Sequence, residues 1–238
     1  MSRINKVFLI AMGGAFLLTA VIIFMPNSIN NYYVNPESFD TGFSYYLWKF
    51  RPIDRSNIAR ITAWSFFAIH LVGNMILLQR LKLDQNNKQD GLSKYNIYLL
   101  VYNAVFIIIH FLHTWIWYDA LAQDTPVWSS QGSVIVKLVL ILIMENRRRG
   151  LFFGKKVPFP QESTSWIMKN HGKFIVLATV FTFWYHPMEF TSFHMFGFFY
   201  MFLLFIQMSF ARTKYHNNKY FKVVLEVAVL FHGTTVAM

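Results

Sequence analysis

Long apolar runs constrain this chain more than any other feature of its sequence. Hydrophobic residues make up 55% of the 238 residues, charged residues only 14%, and the mean hydropathy is +0.36. Soluble domains carry about 25% charged residues, and about 20 consecutive apolar residues form a helix that crosses a bilayer. The sequence therefore predicts an all-α, polytopic membrane protein.

Seven runs are candidates for membrane spans. The fifth is short, and Pro187 separates it from the sixth, so these two are expected to form a tight helical hairpin. The first run is longer than the core of a signal peptide and no small-residue cleavage site follows it, so it is read as a span. The runs are Val7–Met25, Ala59–Leu78, Tyr95–Tyr118, Val127–Met144, Phe174–Tyr185, Phe190–Ala211 and Phe221–Met238.

Basic residues set the expected orientation. With the N-terminus in the cytoplasm, the inner segments hold about 17 of the 22 Lys and Arg residues, as the positive-inside rule requires. We expect seven transmembrane helices in one domain, residues 1–238, with the N-terminus cytoplasmic, the C-terminus outside, and a bacterial inner membrane as the location. An aromatic outer loop, 26–58, and a basic inner loop, 146–172 with Pro158 and Pro160, complete this topology.

Two properties of the composition exclude classes of function. The chain has no cysteine, which excludes disulfides, Fe–S clusters and thiolate-bound metals. The net charge of +11 lies in short loops beside apolar runs, where topology and anionic lipid explain it, so no nucleic-acid partner is expected. Any bound metal must use His, Glu, Asp, Met or Tyr.

Histidine is the residue that points to a function. Helix rise converts sequence position to depth, at about 1.5 Å per residue, and five of the eight histidines then fall in the outer third of the membrane. Imidazole in hydrocarbon is costly without a partner, so we expect these residues to converge on a transition metal (iron, copper or zinc), with Glu189 as a catalytic group. The five predicted metal ligands are His110, His113, His186, His194 and His232.

The stretch from Trp184 to Phe202, with Glu189 ahead of His194 at the outer start of a helix, resembles part of the third subunit of copper membrane monooxygenases. The resemblance implies copper. The other histidine and aspartate ligands of that family have no match in this sequence.

Other polar residues lie inside the runs and leave alternatives open. His70, near the middle of the second run, is a candidate cofactor ligand, a proton relay or a hydrogen-bonded packing residue. Lys137 and Glu226 each need a partner, and Lys222, four residues before Glu226, offers a local one. His171 and His216 are expected to be ordinary residues of inner loops.

Three classes of function fit these residues. The first is a membrane metal-dependent enzyme or redox-complex subunit that acts on an apolar or lipid-like substrate reached from the bilayer. The second is a protein that holds heme b between two axial histidines and exchanges electrons with a quinone. The third is transport of protons or a small solute along His70, Lys137 and Glu226. Membership of a larger membrane complex is compatible with each of them.

Overall fold

A computed structural model describes residues 1–24, 56–84, 91–117, 119–151, 154–188 and 192–237. These residues form seven α-helices and one short 3₁₀ turn, with no β-strand, which confirms the all-α prediction. The helices are α1 (Arg3–Ile23), α2 (Asn57–Leu83), α3 (Lys94–Trp117), α4 (Val127–Arg149), α5 (Gln161–Tyr185), α6 (Ser192–Ser209) and α7 (Lys219–Ala237).

Four helices are long and apolar enough to cross a membrane. They are α1, α2, α3 and α4, and they indicate an integral membrane protein. Large apolar side chains such as Ile10, Leu17 and Ile61 are more than 60% exposed along these helices, as expected for surfaces that face lipid. In α6 a shorter apolar stretch covers His194–Ser209.

The start of α5 differs from the sequence prediction. We expected a loop from 146 to 172, but α4 continues to Arg149 and α5 begins at Gln161, so only residues 150–160 separate the two helices. Pro160 occupies the N-cap position of α5, and a proline there starts a helix instead of breaking one. The first turns of α5 are polar and only its second half is apolar. The predicted outer loop, 26–58, lies mostly outside the described residues, and Asn57 already belongs to α2.

Neighbouring helices along the chain pack as antiparallel hairpins, and α6 lies at the centre. The pairs α2–α3, α4–α5 and α6–α7 are in contact, and α6 also packs against α1, α3 and α5. The middle of α6, residues 200–206, is buried on every face. This packing brings one end of each of α3, α5, α6 and α7 together. These ends carry the five histidines that the sequence predicts to lie toward the outer face.

Candidate functional site

The break after α5 is the first element of the site. His186 follows the helix with extended backbone angles, and Pro187 has no N–H to continue it. The His110 side chain of α3 satisfies the exposed backbone, since its Nε2–H donates to the His186 carbonyl at 2.8 Å. Thr114, one turn further along α3, accepts a hydrogen bond from the Met188 N–H at 2.9 Å. Two side chains of α3 therefore hold the non-helical backbone inside the bundle, as backbone at membrane depth requires.

His110 and His113 share a distinctive protonation pattern. Each Nε2 faces a backbone carbonyl, that of His186 for His110 and that of Ala59 for His113 (3.1 Å), so each Nε2 carries the hydrogen. The lone pair of each neutral ring is therefore on Nδ1. Both Nδ1 atoms are buried and have no hydrogen-bond partner of normal geometry among the described residues, although Asp119 lies close enough to His113 to interact with it electrostatically. Both rings contact Trp184, with centroids 4.4 and 6.2 Å away.

Three further histidines meet beside this pair. The rings of His186 and His194 have centroids 5.7 Å apart. His232 interacts electrostatically with both, and its ring packs on Gly197, where an added Cβ would lie 3.0 Å from Cε1. His186 donates from Nδ1 to the Thr182 carbonyl at 2.9 Å, which places its lone pair on Nε2.

The five histidines thus form one continuous set, the outer histidine layer: His110, His113, His186, His194 and His232. His110 links its two parts, because its Nε2–H donates to the His186 carbonyl and its ring interacts electrostatically with His113; it also interacts with His70 below the layer. Within the described ranges, however, no three His, Asp or Glu side chains are arranged to hold a metal ion. The predicted catalytic residue Glu189 lies outside the described residues.

His70 lies below this layer in a different kind of environment. Its Nε2–H donates to Asn103 Oδ1 at 2.9 Å, and its Nδ1 accepts from the Trp184 indole at 3.1 Å. Asn74 also donates to Asn103 Oδ1, and Asn103 donates to the Leu99 carbonyl. Both ring nitrogens of His70 are therefore used within the protein, which is the geometry of a hydrogen-bonded packing residue.

The remaining two histidines are separate from the layer. His171 lies in the polar part of α5, where its Nδ1 donates to the Met168 carbonyl at 2.7 Å. His216 lies in the turn between α6 and α7, with Nδ1 donating to the Gln207 carbonyl at 3.0 Å. Burial lowers the pKa of His216 below its usual value.

The buried and membrane-edge charges pair differently from the sequence prediction. Glu226 contacts Arg149 Nη1 at 2.8 Å, and Lys222 contacts Glu145 Oε1 at 3.2 Å, so the local Lys222–Glu226 pair is replaced by pairs between α4 and α7. The reason is that α4 ends with basic residues beside the start of α7. Lys137 is only 1% exposed, and its Nζ lies 5.3 Å from the centroid of the Tyr200 ring.

Sequence reasoning missed the residues that organise the layer. Trp184 contacts His70, His110 and His113, yet in the sequence it is one of several aromatic residues at the end of a span. Thr114 supports the backbone after Pro187. A signal was present for Asn103, because an amide inside an apolar run needs partners within the bundle.

No family model, no curated protein and no solved structure matches the chain.

Proposed function

We propose that the outer histidine layer binds a transition metal and that the chain is a membrane metal-dependent enzyme or a redox-complex subunit. The observation that carries this proposal is the pair of Nδ1 atoms of His110 and His113, which are buried and have no hydrogen-bond partner among the residues that the structure describes. A histidine that ligates a metal usually donates its other N–H to a carbonyl or carboxylate, and both residues already do so. A lone pair left inside the bundle on each ring is the donor that a metal ion requires.

The second half of the layer supports the same proposal. Two imidazoles on one ion, with metal–nitrogen bonds of about 2.1 Å, have ring centroids roughly 5 Å apart. The 5.7 Å between His186 and His194 is close to that value. A complete site needs rotation of the rings toward a common point. Imidazole ligands alone suit copper or zinc, and Glu189 would add an oxygen donor suited to iron.

The membrane topology belongs to the same proposal. Seven spans, with the N-terminus in the cytoplasm and the C-terminus outside a bacterial inner membrane, place the outer histidine layer toward the outer face. Substrate then enters from the bilayer, which favours an apolar or lipid-like molecule or a quinone. A bound metal ion would supply Lewis-acid or electron-transfer chemistry. Other membrane subunits are the natural partners of a redox function.

The two alternatives receive less support from the geometry. A heme needs an open slot between two axial histidines, whereas the buried rings of Phe183 and Trp184 fill the space beside His70 and His110. A transport path along His70, Lys137 and Glu226 would require groups that can exchange partners. His70 is bonded at both nitrogens, and Glu226 pairs with Arg149.

Metal analysis of the purified protein tests the proposal. We expect near-stoichiometric copper, zinc or iron in the wild type, and loss of that metal in the variant that combines His110→Ala with His113→Ala. His171→Ala is the matched control, because His171 lies outside the layer, and it should keep the metal. Unchanged metal in a folded double variant, or a wild type that takes up no metal on reconstitution, would overturn the proposal. An absorption spectrum with a Soret band would favour heme instead.

A further inference from the structure

A second buried polar group lies deeper in the bundle, on the face of α4 that points inward. Lys137 is 1% exposed although Ile135 and Val136, two residues and one residue before it, are more than half exposed. It lies about 15 Å from the outer end of α4, near the middle of the span. No acidic side chain among the described residues forms an ion pair with it. Its aromatic neighbour is Tyr200 of α6.

Hydroxyl groups of α4 and α5 face each other next to Lys137. Ser133 Oγ and Thr182 Oγ1 are 3.0 Å apart, which fixes the register of these antiparallel helices. One turn further toward the inner side, this register brings Lys137 of α4 level with Thr179 of α5. Thr179 Oγ1 is buried and has no hydrogen-bond partner in the described structure, so it does not bond to its own helix as threonines in helices commonly do.

We propose that Lys137, Thr179 and Tyr200 form a binding site for the carboxylate of a long-chain amphiphile such as a fatty acid. The three side chains offer an amine, which the acid converts to an ammonium on binding, and two hydroxyl donors from three helices, which suits an anion that accepts several hydrogen bonds. The exposed residues of α4 around Lys137, such as Ile135, Val136 and Val139, are apolar, so the part of the ligand that leaves the site toward lipid must be apolar as well. The proposal does not depend on the metal proposed above.

The chemistry of a carboxylic acid explains how an anion reaches this depth. A fatty acid enters the bilayer as the neutral acid, whereas a phosphate head group would have to carry its charge into hydrocarbon. At the site, the O–H bond of the acid breaks and its proton forms an N–H bond on the Lys137 amine. The carboxylate and the ammonium then form together, and no net charge crosses the apolar layer.

Binding of cis-parinaric acid to the full chain in detergent micelles tests this site. We expect saturable fluorescence enhancement with the wild type, and affinity lower by about tenfold or more in Lys137→Met, because a charge-assisted hydrogen bond is lost. The control Lys173→Met removes an exposed lysine of α5 and should bind as the wild type does. The methyl ester of the same acid has no proton to give and should show no saturable binding.

Milder variants keep the test decisive if Lys137→Met does not fold. Thr179→Val and Tyr200→Phe each remove one hydroxyl with little change of shape, and each should weaken binding by roughly three- to tenfold. Equal binding by the wild type and a folded Lys137→Met, equal binding of the acid and its ester, or no saturable binding by the wild type would overturn the proposal. Metal content of the same samples reports separately on the outer histidine layer.

Discussion

His70 and His113 are two buried histidines of neighbouring helices, and they differ in the hydrogen bonds that their ring nitrogens make. Each ring lies among aromatic side chains, and each is at most 1% exposed. His70 uses both nitrogens, toward Asn103 and Trp184, whereas His113 uses Nε2 and leaves Nδ1 without a partner in the described chain. The comparison teaches that burial alone does not separate a structural histidine from a candidate ligand. The hydrogen bonding of the second ring nitrogen separates the two kinds of histidine.

The largest expected effect is on stability, from His70→Leu. The substitution removes the acceptor for the Trp184 indole and the donor to Asn103, so two buried polar groups lose a partner. We expect the free energy of unfolding to fall by about 3 kcal/mol, with the metal content per folded protein unchanged. Unfolding in mixed micelles combined with metal analysis measures both quantities. Loss of metal at constant stability would reverse the roles that we assign to His70 and His113.

His113→Phe is the matching change in the outer histidine layer. Phenylalanine fills a similar volume. The Ala59 carbonyl and the Thr62 hydroxyl each lose a contact with His113 Nε2, but the Thr62 hydroxyl still has the Ile58 carbonyl at 2.6 Å and lies 3.0 Å from the Ala59 carbonyl. We therefore expect a stability loss of only about 1 kcal/mol, together with a clear loss of bound metal. A variant that retains its metal while it unfolds much more easily would show that His113 is structural.

Gly197→Ala perturbs the layer without removing a ligand. The new Cβ would lie 3.0 Å from His232 Cε1, so the ring must move by a few tenths of an ångström. We expect weaker metal affinity and a net stability change below about 1 kcal/mol, because alanine favours the helix while the contact opposes it. Gly132→Ala is the control, since nothing lies within 4 Å of its Cβ position. Identical metal affinity in both variants would place His232 outside the site.

The smallest expected effect comes from the charges at the other end of the bundle. Glu145→Gln removes the negative charge that faces Lys222 and Arg148, but these basic side chains are 26% and 53% exposed. We expect a loss of about 0.5 kcal/mol that shrinks as salt is added. The exposed Glu162 provides the control in Glu162→Gln. A large loss of stability that does not depend on salt would mean that these charges are shielded from water in the protein in its membrane, contrary to the prediction.

Hydropathy predicted most of the helical architecture. The seven apolar runs correspond to the seven helices of the described residues, because an apolar run of this length in a bilayer can satisfy its backbone only as a helix. The prediction failed where a helix leaves the apolar region. Residues 161–173 of α5 are polar, and their helical state depends on the start at Pro160 and on packing against α4. The conversion of sequence position to depth by helix rise grouped the five histidines, but it does not indicate the direction in which each ring points.

The sequence by itself determined that the described residues fold into helices, four of them long and apolar enough to cross a membrane, and it predicted that most of the histidines share one level. Both follow from local quantities, hydropathy and helix rise. Only the tertiary structure decided which ring nitrogen of His110 and of His113 carries the hydrogen, because the carbonyls of His186 and Ala59 lie far from these rings in the sequence. The pairing of Glu226 with Arg149 and the position of Lys137 beside Tyr200 are also properties of helix packing.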